Sequence, residues 1–184
     1  REDGVINTSR RDLAVVTRTA VNHMAATARQ EFAQANSDIV KAKQWSSTLD
    51  THTSQWCIIR DRKLYTLDGK PLGHEIPYLR GPGKIHFLCR SCEILLTKSW
   101  EELQIASGEL SSATRASMDG QVPAHTSYAD WLTRQPYARQ EQVLGVTRAM
   151  ILRDGKITVP EMFNDAGEFL TLDELRRVDA SAFE

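Results

Sequence analysis

The chain has 184 residues, 41% of them hydrophobic and 26% charged, with a net charge of −1 at pH 7. That length suits one ordinary domain, or one domain with an ordered appendage, and the charge excludes nucleic-acid binding driven by an overall basic excess. No apolar run reaches the roughly 18 residues a membrane-spanning helix needs, and three cysteines are a poor match to a secreted disulfide scaffold. A reducing compartment, with thiols free or metal-bound, fits better. The chain starts at Arg1 with no visible signal peptide, and reads as a fragment, or a processed or renumbered chain, for which an upstream region is an expectation. Charge is mildly uneven: residues 1–105 carry 15 Lys/Arg against 12 Asp/Glu, a net of +3, and the remainder carries −4.

Asn7-Thr8-Ser9 offers a cap for a long helix. Leu13, Val16, Ala20, Met24, Ala28, Phe32 and Ala35 recur at three- and four-residue spacing and predict one apolar stripe on a helix from about Arg10 to Lys43, with a break near Asn36-Ser37-Asp38. The stripe is expected to cover the following sheet in part and to face another protein in part. Thr19 and Asn22, off its centre, are expected to bond locally to the backbone. Trp45–Leu49, Cys57–Ile59, Lys63–Leu67 and Glu93–Lys98 read as strands, with Asp68-Gly69 as a tight turn. Residues 74–83 form a loop marked by Pro77, Gly81, Pro82 and Gly83.

Residues 106–125, rich in Ser, Ala, Thr and Gly, read as a linker or an extended arm. Thr126-Ser127 then caps a helix that Pro136 breaks, or follows with the next one. A helix is expected from Gln140 to Leu152, ended by Asp154-Gly155. A short extended piece at Ile157–Val159, a turn at Pro160–Phe163 and a last short helix at Leu172–Leu175 complete the chain. The predicted architecture is α+β: a long N-terminal helix packed on a small antiparallel sheet (residues 1–105), the linker, and a mostly helical C-terminal segment (126–184).

Chemistry concentrates in two polar knots, Asp50-Thr51-His52-Thr53-Ser54-Gln55-Trp56-Cys57 and His86-Phe87-Leu88-Cys89-Arg90-Ser91-Cys92, which hold all three cysteines. Zinc takes four thiolate or imidazole ligands in a tetrahedron, and Cys57, His86, Cys89 and Cys92 could supply them, with His52 as a substitute for Cys92. The same residues also fit buried free thiols beside a hydrogen-bonded histidine, or a Cys57–Cys89 disulfide. Asp50 and Arg90 could pair across the knots, and Asp50 could accept from Thr53 and its neighbours in an Asx-type turn. Asp50, Thr53, Cys57, His86, Cys89 and Arg90 are thus expected to act as a clasp that holds the α+β unit together, rather than to line an open catalytic cleft. A glycine-rich phosphate loop, a Gly-x-Ser-x-Gly elbow and a His-Glu-x-x-His pair are all missing. Trp131, Leu132, Tyr137 and Leu144 either fold back on the α+β unit or stand exposed to dock onto another subunit, and the second is the expectation.

The order and spacing of these motifs resemble the phage Mu F-like minor head protein, or phage head morphogenesis, family. Its members show an Arg-Thr pair in a long helix, a Trp, Asp-x-Arg-Thr-x-x-x-Cys, an Asp-Gly-Lys turn and a His-x-x-Cys-Arg knot. Here these are Arg18-Thr19, Trp45, Asp50 to Thr53 ending in Cys57, Asp68-Gly69-Lys70, and His86 to Arg90. Tyr128 to Gln135, Val143 to Arg148 and Leu172 to Leu175 are similar to the tails of phage members. The chain departs at His52, where the family has Arg, and at Ser54 and Ser91, where many members have Cys; Cys92 stands one place later. The resemblance implies a low-copy structural protein of a tailed-phage head, in the capsid interior or at the portal vertex, and in the host cytoplasm during assembly. Its implied partners are the portal protein, other capsid proteins and, non-specifically, packaged double-stranded DNA, with no membrane and no enzymatic activity. The alternative from the same knots is a metal-dependent nuclease or toxin-like enzyme.

Overall fold

The computed structural model describes residues 5–99, 102–103 and 113–183. Its first element is α1 (Val5–Ala35), 31 residues with no Gly or Pro and seven Ala, which spans about 46 Å. Asn36 ends it: its side chain and its own N–H both donate to the Phe32 carbonyl, one of the last without a helical partner. The helix stops at the break expected near Asn36-Ser37-Asp38 and does not resume toward Lys43, because the β-branched Ile39-Val40 leads into β1 (Val40–Ser46).

β1 is central in a four-stranded antiparallel sheet of order β3-β2-β1-β4, with β2 at Leu64–Tyr65, β3 at Pro71–Leu72 and β4 at Cys92–Thr97. Trp45 pairs with Glu93 and Lys43 with Leu95. The Asp68-Gly69 turn between β2 and β3 forms as expected, with Gly69 at φ +82°. The chain is α+β, with the long helix on this sheet and helices in the C-terminal part. No helix among the described residues is long and apolar enough to cross a membrane.

α1 meets the sheet with the face opposite to the one expected. Ala26 and Ala33 are buried, and Thr19, Asn22 and Gln30 point inward. Asn22 Nδ2 donates to the Cys89 carbonyl (3.0 Å), Thr19 Oγ1 accepts from the Leu88 amide (3.1 Å), and Gln30 Nε2 donates to the Tyr78 hydroxyl (2.8 Å). Small residues allow the close approach: a Cβ on Gly83 would lie 3.0 Å from that of Ala26, and Gly83 also needs its φ of +77°. The stripe of Leu13, Val16, Met24 and Phe32 consequently points to solvent, with exposures of 59–73%.

Three further expectations are corrected. Cys57–Ile59 is not a strand: Gln55–Ile58 is a short helix, α2, whose Cys57 and Ile58 amides return to Ser54. Where it can be checked, the 106–125 segment is an extended β-hairpin and not a flexible linker. Residues 106–112 lie outside the described residues, but Thr114–Ser117 (β5) and Gly120–Pro123 (β6) form a hairpin. The Gln140–Leu152 helix is two, with α3 (Tyr128–Thr133) ahead of them, α4 at Tyr137–Leu144 and α5 at Val146–Arg153, divided at Gly145 with φ +78°. A short 3₁₀ turn at Pro160–Met162 and α6 (Leu172–Val178) form as expected, and a second 3₁₀ turn at Ala180–Phe183 follows.

The C-terminal part is not an appended docking module. Trp131, Leu132 and Leu144 are 3%, 0% and 4% exposed, and they share one core with Leu49, Ile58, Ile59 and Ile76 of the first part. Tyr137 is half-buried under the Arg153 guanidinium. Their apolar spacing is satisfied within the chain, which removes them as an exposed surface.

The joint beneath this shared core is polar. Asp61, its side chain 1% exposed, accepts at Oδ1 from the Ser47 amide (2.7 Å) and at Oδ2 from the Tyr128 amide (2.8 Å). Arg115 of β5 grips both oxygens (3.0 and 2.9 Å) and donates onward to the Ser47 and Thr126 carbonyls. Removing one partner strands a buried charge. Asp61→Ala should cost about 3–5 kcal/mol in urea unfolding followed by tryptophan fluorescence. A loss no larger than that of a surface substitution would show that the joint is not structural.

Candidate metal centre

Each donor is set by local folding. α2 turns Cys57 inward, to 2% exposure. Ser54 occupies the N-cap position of this helix but makes no capping bond; its hydroxyl is diverted to His86 Nε2 at 2.8 Å. The second knot is a tight turn in which the Cys89 amide returns to the His86 carbonyl and Leu88 takes φ +55°. α1 holds that turn at two points, Thr19 on the Leu88 amide and Asn22 on the Cys89 carbonyl. Local backbone bonding was the expectation for these two residues. Their long-range role depends on a turn that leaves one donor and one acceptor open toward α1, and no local pattern announces that.

The result brings Cys57, His86 and Cys89 together, as the knots predicted, with their ligand atoms all within 4.8 Å of one another. Cys57 Sγ lies 3.7 Å from Cys89 Sγ and 3.4 Å from His86 Nε2. The sulfurs are too far apart for a disulfide, which needs about 2.05 Å, and all three cysteines are free. The Gly83 amide donates to Cys89 Sγ (3.3 Å). His86 Nδ1 meets the Phe87 carbonyl (2.7 Å), so Nδ1 carries the proton and the Nε2 lone pair of the neutral ring faces the sulfurs. The three residues could hold a metal ion.

Two of the expected ligands fall outside the group. Cys92 opens β4 opposite Ser46 and is exposed. Strand alternation explains it: with Ser91 and Glu93 buried, Cys92 between them points outward. His52 is exposed, and its amide donates to Asp50 Oδ1 (2.9 Å).

Hydrogen bonding sets the protons. The bond from Cys57, with backbone donors at Ser91 and Gly83 behind it, pulls the Cys89 thiol down against the opposing effect of burial. The same Cys89 bond, together with burial, pushes Cys57 up. Cys89 also raises the His86 ring above its ordinary value, opposed by burial. Of the two thiols, Cys89 is the one its surroundings favour as thiolate, with Cys57 and the Gly83 amide as donors.

Around this centre the expected clasp forms. Arg90 makes a two-pronged pair with Asp50, through Nη1 to Oδ2 and Nη2 to Oδ1 (2.9 Å for the second). Thr53 Oγ1 donates to the Thr48 carbonyl (2.6 Å) and lies 3.2 Å from Asp50 Oδ1. The Tyr128 hydroxyl donates to the Asp50 carbonyl (2.6 Å), which links the clasp to α3.

The centre is not wholly enclosed, contrary to the closed clasp expected. Cys57 and Cys89 are buried, but His86 and Ser54 reach a groove of about 850 Å³ between α1 and the knots. Arg18, His52, Arg90, Phe87 and Leu88 also line it. A second cavity, of about 20 Å³, touches Cys57, Ser54, His86 and Thr53.

Sequence reasoning missed three residues of this region. Ser54 stood out only as a departure from a cysteine pattern. Arg60 is 0% exposed and spends its guanidinium on the Trp56, Pro77 and Ala166 carbonyls. Asp61 sits beside it in the polar joint. An Arg-Asp pair just after an apolar run was the available signal. Compared with known proteins, the chain matches no family model, no curated protein and no solved structure.

The Asp50–Arg90 pair gives a pH signature. Burial alone would raise the Asp50 carboxyl, but the Arg90 fork, the His52 amide and Thr53 together hold it below the usual carboxylate range. A depressed folded value means the pair stabilises fully above an unfolded value of about 3.9 and is lost as pH falls through the folded value. Arg90→Ala should cost about 1 kcal/mol at pH 7, because Arg90 is nearly half exposed, and should flatten the fall in stability below about pH 4. Parallel pH profiles for the two proteins would contradict this.

Proposed function

We propose that this chain is a structural protein of a tailed-phage head, of the minor head protein kind, which docks onto the portal through the outward face of α1. The observation that carries the reading is the reversal of the helix. Its polar face is spent on the sheet and the His86–Cys89 turn, while Leu13, Val16, Val21, Met24 and Phe32 stand 57–73% exposed along one rod. Covering such side chains is worth about 1.5–3 kcal/mol each, and a contiguous apolar face of this length marks an interaction surface. The motif order of the two knots and the tail supports the phage assignment. The protein would serve head assembly, DNA packaging or delivery, at the portal vertex or capsid interior, after a period in the host cytoplasm. Contact with packaged DNA would be non-specific, through scattered Lys and Arg.

The ion suited to the donor group is zinc. From Zn–S of about 2.3 Å and Zn–N of about 2.0–2.1 Å, a tetrahedron has edges of about 3.8 Å between sulfurs and about 3.6 Å between sulfur and nitrogen. The observed 3.7 and 3.4 Å fit those edges. Bound zinc would supply a crosslink between α2 and the α1-held turn.

A second reading, a metal-dependent nuclease or toxin-like enzyme, has one observation in its favour, the groove beside His86. DNA cleavage with added metal that disappears in His86→Ala would support it over the structural reading.

Two outcomes test the main reading. Met24→Glu with Phe32→Lys should leave the melting temperature unchanged and abolish co-purification with portal-containing particles; retained co-purification would remove α1 as the docking face. The purified chain should carry one zinc, lost in Cys57→Ser and kept in Cys92→Ser, and a chelator should lower its melting temperature. A zinc-free chain indifferent to chelator would remove the metal.

A further inference from the structure

We infer that a metal held by Cys57, His86 and Cys89 keeps one coordination position for an exogenous anion entering from the groove. This rests on the metal reading above and concerns what completes the tetrahedron. Structural zinc sites close with four protein ligands, whereas sites that bind or transform a ligand use three and leave the fourth to water or substrate. Here three donors converge, and the remaining cysteine, Cys92, faces away on β4.

The space beside the donors has the right size and place. The cavity of about 20 Å³ touches Cys57 and His86, and that volume holds about one water-sized atom group. It shares His52, Ser54, His86, Leu88 and Arg90 with the large groove. A single ligating atom fits the cavity, and the remainder of its molecule would lie in the groove.

Charge selects the class of ligand. Arg18, Arg90 and His52 line the groove, and no carboxylate among the described residues does. Asp50 lies behind, bound to Arg90. An anion with an oxygen or nitrogen donor, such as a carboxylate or phosphate group, is therefore favoured over a cation.

Ser54 has a defined part. Its hydroxyl now bonds to His86 Nε2, the nitrogen a metal would take. Once that lone pair is engaged, the hydroxyl, which does not cap α2 and has Cys57 beside it, is free to turn toward the small cavity that both residues line. Serine is not among the usual zinc ligands, so Ser54 is a positioning residue that donates to the bound anion.

The test uses the chain loaded with cobalt(II), whose visible bands report coordination, and azide as the probe anion. Azide should shift the bands along a saturating curve. Ser54→Ala should leave the starting spectrum and the metal content unchanged and weaken azide on the order of tenfold. Cobalt bound through two thiolates with bands unmoved by excess azide would overturn the open position while leaving the metal reading intact. A Ser54→Ala spectrum altered before azide is added would make Ser54 a ligand and overturn the inference too. Failure of cobalt to bind would overturn both.

Discussion

Two hydrogen bonds from the long helix, Thr19 to the Leu88 amide and Asn22 to the Cys89 carbonyl, hold the turn that carries His86 and Cys89. That constraint fixes both the donor group and the orientation of the helix. The turn includes Leu88 at φ +55°, a conformation a bulky residue adopts only when its surroundings impose it. With the turn held, His86 and Cys89 face Cys57, while the Arg90–Asp50 fork and the Ser46–Cys92 pairing bring the two knots side by side. Each bond contributes only about 1 kcal/mol net. Their effect is directional: they commit the polar and small-residue face of α1 to the sheet, and this leaves the apolar stripe outside.

The same trade recurs at the joint between the two parts of the chain. Asp61 and Arg115 bury an ion pair whose remaining valences go to backbone amides and carbonyls of Ser47 just after β1, of α3 and of the segment before α3. Arg60 is buried with backbone carbonyls as its hydrogen-bond partners. Such groups add little net stability but punish misplacement, so they set the relative position of parts that the shared apolar core alone would leave adjustable.

Much of this was legible in the sequence, and the failures have physical causes. The α+β class, the strand after the second knot, the Asp68-Gly69 turn, the Ser127 cap and the meeting of Cys57, His86 and Cys89 all followed from residue pattern. Helix periodicity correctly gave a stripe on α1 but not its direction, because Ala26, Ala33 and Gly83 allow a closer approach than Leu and Phe would. Apolar spacing around Trp131 and Leu144 does not say whether the partner is another chain or the same one, and here it is the same one. The β5–β6 hairpin was hidden in a polar, small-residue segment whose fixing contacts, Arg115 to Asp61 and the Met118 amide to Leu49, are far apart in sequence. Cys92 looked like a ligand by spacing and fails by strand alternation.

A metal-closed clasp joined to a rod with an uncovered apolar face is the proposed design, and the clasp is the part most open to direct measurement. X-ray absorption at the zinc edge of the purified chain reads the ligand set without altering a residue. Two sulfur neighbours at about 2.3 Å are expected, with nitrogen or oxygen completing the shell at about 2.0–2.1 Å. A third sulfur, or the absence of zinc, would contradict the design.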